Sequence, residues 1–334
     1  MSVVSKTRVT SSRRANDRAD KVSDLSFRLS PRAPFRLDLT VWTLRRRPDN
    51  AIDRWDGRFY RRILAFDGLP VEVSVRQTRP PDDPQLEVTA VCEQRQPSGL
   101  KAGLTAILER TLGLQMDLSG FYEMAKDDPK IGELVRRFRG FRPPRFPTVF
   151  EALVNSIACQ QLTVLVGIML LNRLARTCGM PFGPSPSANS AFPAPKELAS
   201  ARSETLRALG FSRQKASALI RLGRECAGSA SNLEALAELD DRQALARLLD
   251  LHGIGRWSAE YTMLRGLGRL NVFPADDVAG VRNLHRWLKL RKVPDYKRPR
   301  RLLSRWHPYD GLLYFHFLLD KLDSLGFLPD LRKE

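Results

Sequence analysis

The chain has 334 residues, 43% of them hydrophobic, enough for one large domain or two of ordinary size with proper cores. Its 55 Lys plus Arg against 37 Asp plus Glu leave a net charge of +18, which favours a polyanionic partner, nucleic acid first and an anionic membrane second. No apolar run reaches the roughly 18 residues of a spanning helix, so a soluble protein is expected.

Residues 1–34 are rich in Arg and Ser without the apolar core of a signal peptide, and read as a disordered basic tail. From Phe35 to Thr43 the stretch FRLDLTVWT alternates, with Phe35, Leu37, Leu39 and Val41 on one face of an expected strand. GRFYRRILAF and LPVEVSV follow as strands around an Asp67-Gly68 turn, then LEVTAV. Leu100, Leu104, Ile107, Leu108 and Leu112 fall on one helical stripe. Residues 35–125 therefore read as an α+β unit, a small antiparallel sheet backed by helix.

From Phe121 onward the pattern is helical, punctuated by RGFRPPRFP at 139–147 and a Pro/Ser-rich stretch at 179–195. VFEALVNSIACQQLTVLVGIMLLNRLA is apolar all round and reads as two buried helices broken near Gln160-Gln161. Ser212 is a plausible N-cap for SRQKASALIRLGREC. No internal repeat is found. Cys92, Cys159, Cys178 and Cys226 lack C-x-x-C spacing, and His252, His285, His307 and His316 lack ligand spacing, so neither a metal site nor a disulfide framework is expected.

In LDLHGIGRWSAEYTMLRG, residues 249–266, one helix ends near Leu251 and a second begins near Arg256. Gly253 and Gly255 supply the backbone freedom for the turn between them. Exposed N–H groups at such a helix start form an anion site, so His252, Gly253, Ile254, Gly255 and Arg256 are candidates to hold a phosphate. A plain helix corner would also explain the glycines. About 20 residues on, NVFPADDVAGVRNLHRWL places Asp277 where a helix N-cap is required, and the helix dipole would keep a carboxylate there ionised.

A G-I-G hairpin followed at this spacing by Pro and Asp resembles the helix-hairpin-helix DNA glycosylase superfamily. GIGRWSAEY, the following L-R-G, the F-P-A-D-D run and SIACQQLT are most similar to its alkylation-repair branch, 3-methyladenine DNA glycosylase II. The resemblance spans residues 35 to about 325. It implies a TATA-binding-protein-like α+β unit followed at 126–330 by a mainly helical, two-lobed glycosylase region with the active-site cleft between lobes. It assigns Asp277 as the essential carboxylate, which stabilises positive charge on the deoxyribose or orients water as the N-glycosidic bond breaks; Asp276 is expected to cap or face solvent. Bifunctional members carry a lysine two residues after the second hairpin glycine, to form a Schiff base. Here that position is Trp257, and no lysine lies between Lys215 and Lys289, so a monofunctional hydrolase is expected.

Such an enzyme flips its base out of the duplex and holds it against aromatic faces. Trp257 and Tyr261, four residues apart, are the expected base pocket, with Tyr309 at a third family position that is usually Trp. Electron-rich rings would attract a cationic methylated purine. The resemblance puts the wedge that fills the vacated stack at Gln161, beside Leu162. The implied protein removes alkylated bases from duplex DNA without a cofactor. It would act as a monomer in the cytoplasm with the chromosomal DNA, or in the nucleus of a eukaryote. A glycosylase/lyase for oxidised bases and a non-catalytic helix-hairpin-helix DNA-binding module are the alternatives.

Overall fold

The computed structural model describes residues 23–94, 96–185, 189–228, 232–291 and 297–329. A five-stranded sheet opens the chain: β1 (Ser23–Leu29), β2 (Arg54–Trp55), β3 (Tyr60–Phe66), β4 (Leu69–Gln77) and β5 (Leu86–Cys92). The strands are ordered β1-β5-β4-β3-β2, every neighbour antiparallel. Asp67 and Gly68, at φ +50° and +75°, make the tight β3–β4 reversal, the backbone that a two-residue hairpin requires. Alternation puts Val71, Val73 and Val75 opposite Cys92, Ala90 and Val88 on the buried face. Helix α2 (Leu100–Leu112) covers that face with Leu100, Leu104, Leu108 and Leu112, each burial stabilising the fold by about 1.5–3 kcal/mol.

Two expectations are corrected. The basic tail does not extend to residue 34: Leu25, Phe27 and Leu29 alternate inward on β1, which pairs with β5 from Ser23↔Cys92 to Leu29↔Leu86. Residues 1–22 lie outside the described residues. FRLDLTVWT is helix α1 (Leu37–Arg45) rather than a strand. Leu37, Val41 and Leu44 pack into the sheet's core while Leu39 and Trp42 enter the core of the helices beyond it. A helix buried on two sides carries apolar residues at both spacings, and its sequence imitates strand alternation.

The rest is helical: α3 (Ser119–Ala125), α4 (Gly132–Arg137), α5 (Val149–Cys159), α6 (Val164–Cys178), α7 (Pro195–Ala199), α8 (Ser203–Ala208), α9 (Arg213–Ala227), α10 (Asp241–Leu249), α11 (Arg256–Thr262), α12 (Val278–Trp287), α13 (Lys297–Leu303) and α14 (Asp310–Ser324). Thr148, Thr163, Ser212 and Asp240 cap α5, α6, α9 and α10 by accepting first-turn N–H bonds. One core joins α5, α6, α9 and the hairpin; a second joins α3, α4, α12 and α14. Between sheet and helices, Arg62 on β3 is paired with Asp53 (2.7 Å) and with Glu151 on α5 (2.5 Å), all three buried. Among the described residues no helix is long and apolar enough to cross a membrane.

Candidate functional site

Residues 250–255 turn α10 into α11. Gly253 sits at φ +81°, and a Cβ there would lie 2.7 Å from the Cβ of Ala218, so glycine is required on both counts. Gly255 is different: its backbone is extended (φ −92°, ψ 178°) and a Cβ would meet nothing within 4 Å. Its missing side chain leaves open space in front of the first N–H groups of α11, which no intrahelical carbonyl can satisfy. His252, Gly253, Gly255 and Arg256 are exposed, and Ile254 plugs the turn into the core.

The adjacent glutamines divide their work. Gln160 Nε2 donates to Gly253 O and to Ser258 Oγ, both at 2.9 Å, tying the break between α5 and α6 to the hairpin. Gln161 stands exposed at φ +55°, an uncommon conformation for a residue with a Cβ, beside Leu162, which is 41% exposed. Lys215 on α9 donates through Nζ to the carbonyls of Ala158 (3.0 Å) and Gln160 (2.7 Å). An amine therefore does lie behind the turn between α5 and α6, although sequence separation from the hairpin suggested none; burial lowers its pKa, and two carbonyls already hold it.

Asp277 caps α12, Oδ1 accepting from Ala279 N (2.9 Å) and Gly280 N (3.2 Å). Its Oδ2 accepts from the Tyr314 hydroxyl at 2.5 Å. Burial first, and the Asp277 carboxylate second, push the Tyr314 hydroxyl well above the usual phenol range, so it remains a donor. Glycine at 280 admits that ring: a Cβ there would lie 2.6 Å from Tyr314 Cε2. Buried Glu260 on α11 anchors the same loop, accepting from Ala275 N (3.1 Å) and Arg256 Nε (3.1 Å) and pairing with Arg300. Asp276 is exposed; partial burial, then the neighbouring Glu260, raises its pKa.

Trp257 and Tyr261 stack, with centroids 5.3 Å apart and planes at 28°. They are not equivalent. Tyr261 is 2% exposed and its hydroxyl accepts from Arg46 Nη1 at 3.0 Å, whereas Trp257 is half-buried and presents the more open ring. Asp277 is close enough to Tyr261 to act on its ionisation, which burial raises and Arg46 and Arg265 oppose. Thus α11, the α12 cap and α14 converge. Tyr309, by contrast, has its ring against Phe121 (5.3 Å), in the core of α3, α4 and α14. Sequence reasoning missed Tyr314, Arg46, Arg265 and Glu260. Only Arg265 and Glu260 carried a local signal, as charged residues in the largely buried second helix of the hairpin and the turn that continues it.

The HhH-GPD superfamily of base excision DNA repair proteins matches residues 154–308. The chain is 31% identical over 182 residues to DNA-3-methyladenine glycosylase 1 of Schizosaccharomyces pombe, covering 54% of this chain and 74% of that protein. The 3-methyladenine DNA glycosylase of Archaeoglobus fulgidus superposes with a TM-score of 0.76 at 26% identity, covering 90% of this chain and 99% of that one. A Schizosaccharomyces pombe 3-methyladenine DNA glycosylase solved in complex with abasic DNA superposes with a TM-score of 0.52 at 25% identity, covering 62% and 97%. Sheet, hairpin and capped aspartate follow one another in a single continuous order, and the chain belongs to the HhH-GPD superfamily of base excision DNA repair proteins.

Proposed function

We propose that this protein is a 3-methyladenine DNA glycosylase of base excision repair, acting by hydrolysis alone. The observation that carries this reading is Asp277: a carboxylate with both oxygens held, at a helix N-terminus, within electrostatic reach of a stacked aromatic pair. The hairpin N–H groups and Arg256 grip the backbone of duplex DNA. Gln161 and Leu162 enter the stack as the damaged nucleotide leaves it, and the base rests on Trp257, backed by Tyr261. The bond from C1′ to the base nitrogen then breaks, its electron pair leaving with the base. The Asp277 carboxylate stabilises the cationic sugar, and water adds at C1′ with loss of a proton, leaving an abasic site. Tyr314 and the α12 amides keep the carboxylate oriented, and no protein group bonds to the sugar.

Base release from a methylated duplex, resolved by chromatography, tests the activity, and borohydride tests the hydrolytic route. Release of 3-methyladenine with no trapped protein–DNA adduct is expected. A trapped adduct that disappears in Lys215→Met would establish a lyase instead, and would name its amine.

A further inference from the structure

Helix α6 is apolar on every side in sequence but buried on only one. Ile168, Leu171, Leu174 and Ala175 enter the core shared with the hairpin, whereas Val164, Leu165 and Met169 are 38%, 47% and 37% exposed. With Leu162 they gather most of the exposed large hydrophobic residues, among the described residues, into the stretch 162–169. Single exposed apolar side chains are ordinary; a cluster of them marks a surface that something covers. Further along the helix the same face changes character. Leu165, Met169, Arg173 and Arg176 follow one another at spacings of three or four, which places them on one stripe, and both arginines are exposed. Arg173 is steadied by donating through Nη1 to Leu209 O at 3.0 Å. The stripe begins beside the turn carrying Gln161, which Gln160 ties to the hairpin, so hairpin, turn and stripe are neighbours in that order.

We propose that this face of α6 seats the DNA strand opposite the lesion, with Leu165 and Met169 against its sugars and bases beside the wedge and Arg173 and Arg176 on its phosphates. The inference rests on the reading of Gln161 and Leu162 as the wedge. A hairpin that grips the lesion strand leaves the complementary strand, whose base has lost its partner, beyond the wedge, and α6 is the element that leads away from it. The order of chemistry along the stripe fits that occupant. Base faces and sugar edges uncovered by the gap are apolar, whereas phosphates line the outside of the duplex. The rise from Leu165 to Arg173 is about 12 Å and exceeds the roughly 7.5–8.5 Å depth of either groove, so a stripe that starts at the base stack reaches the phosphates. A second copy of the chain fits less well, because the core of a protein interface is depleted of charge and two arginines continue this stripe.

The test measures binding to a duplex carrying a tetrahydrofuran abasic analogue, which has no base to release, across a range of salt. Leu165→Gln with Met169→Gln should weaken binding on the order of tenfold at an unchanged log–log salt slope, since no ionic contact is lost. Arg173→Gln and Arg176→Gln should each reduce the slope by about one. Neutral methylphosphonates then locate the contact. Placed in the complementary strand opposite the analogue, they should weaken binding of the wild-type protein roughly tenfold and leave the Arg173→Gln, Arg176→Gln double variant almost unaffected; placed in the lesion strand, they should weaken both proteins equally. Equal penalties from the complementary strand would overturn the proposal. So would an unchanged wild-type affinity for the methylphosphonate duplex, a measurement that needs no variant to fold. Wild-type protein that sediments as a dimer, and as a monomer once Leu165 and Met169 are Gln, would overturn it by making the face an interface between copies. Because the readout is binding, it separates from catalysis. A methylated duplex that releases no base while the strand-specific penalty persists would overturn the glycosylase reading and uphold this surface, whereas base release without that penalty would overturn the surface alone.

Discussion

Replacing Asp277 by Asn separates the carboxylate's charge from its place in the fold. Asn Oδ1 can keep both amide bonds, from Ala279 and Gly280, that cap α12. Its Nδ2 then faces the Tyr314 hydroxyl, which can rotate and accept instead of donating. The structural cost is held to about 1–2 kcal/mol, the scale of one altered cap or hydrogen bond. The charge has no substitute. A carboxylate about 4 Å from a developing sugar cation is worth about 4 kcal/mol at an effective dielectric near 20, so excision should fall roughly a thousandfold. Single-turnover release from lesion duplex, with the abasic product cleaved by alkali, measures that loss. Thermal unfolding measures the cap, and gel retardation should show lesion binding retained or tightened. Activity within tenfold of wild type in a folded Asp277→Asn protein would refute the assignment.

Gly255→Ala should leave stability within about 1 kcal/mol, since the backbone is extended and the space open, yet weaken duplex binding and reduce the log–log salt slope by about one; an unchanged slope would remove the hairpin from the DNA interface. Gln161→Gly relieves a positive φ and should not destabilise the fold, but should weaken capture of lesion duplex by roughly tenfold, a share of the few kcal/mol that unstacking costs; equal losses on lesion and plain duplex would exclude a wedge. His316 is buried against Phe121 and Phe141, with Nδ1 near Leu312 O, and desolvation pushes its pKa down to about 4. Because this folded value lies below the unfolded one, the unfolded chain binds the extra proton: stability is fully present above pH 6.5 and falls by about 3 kcal/mol as pH drops to 4. Chemical denaturation across that window should show the slope, and His316→Met should flatten it.

Features whose physics is local were legible in the sequence. The Asp67-Gly68 turn, the Ser212 cap, the stripe from Leu100 to Leu112, the G-I-G hairpin and the Asp277 cap each depend on residues within a few positions of one another. Side-chain periodicity and backbone freedom are written directly into such stretches. Reading failed where an element's surroundings lie far away in the chain. Helix α1 is apolar on two sides because sheet and helical core both contact it, and that imitated a strand. Strand β1 was hidden in an Arg/Ser-rich tail, because the residues it pairs with on β5, from Cys92 opposite Ser23 to Leu86 opposite Leu29, lie far along the chain. The electrostatics of the site belong to tertiary structure alone. Asp277 meets Tyr314, Tyr261 meets Arg46, and Lys215 meets the carbonyl of Gln160 across separations of 37, 215 and 55 residues. Composition and spacing state which groups a chain owns; only packing determines which of them lose water together, and desolvation is what gives their charges strength.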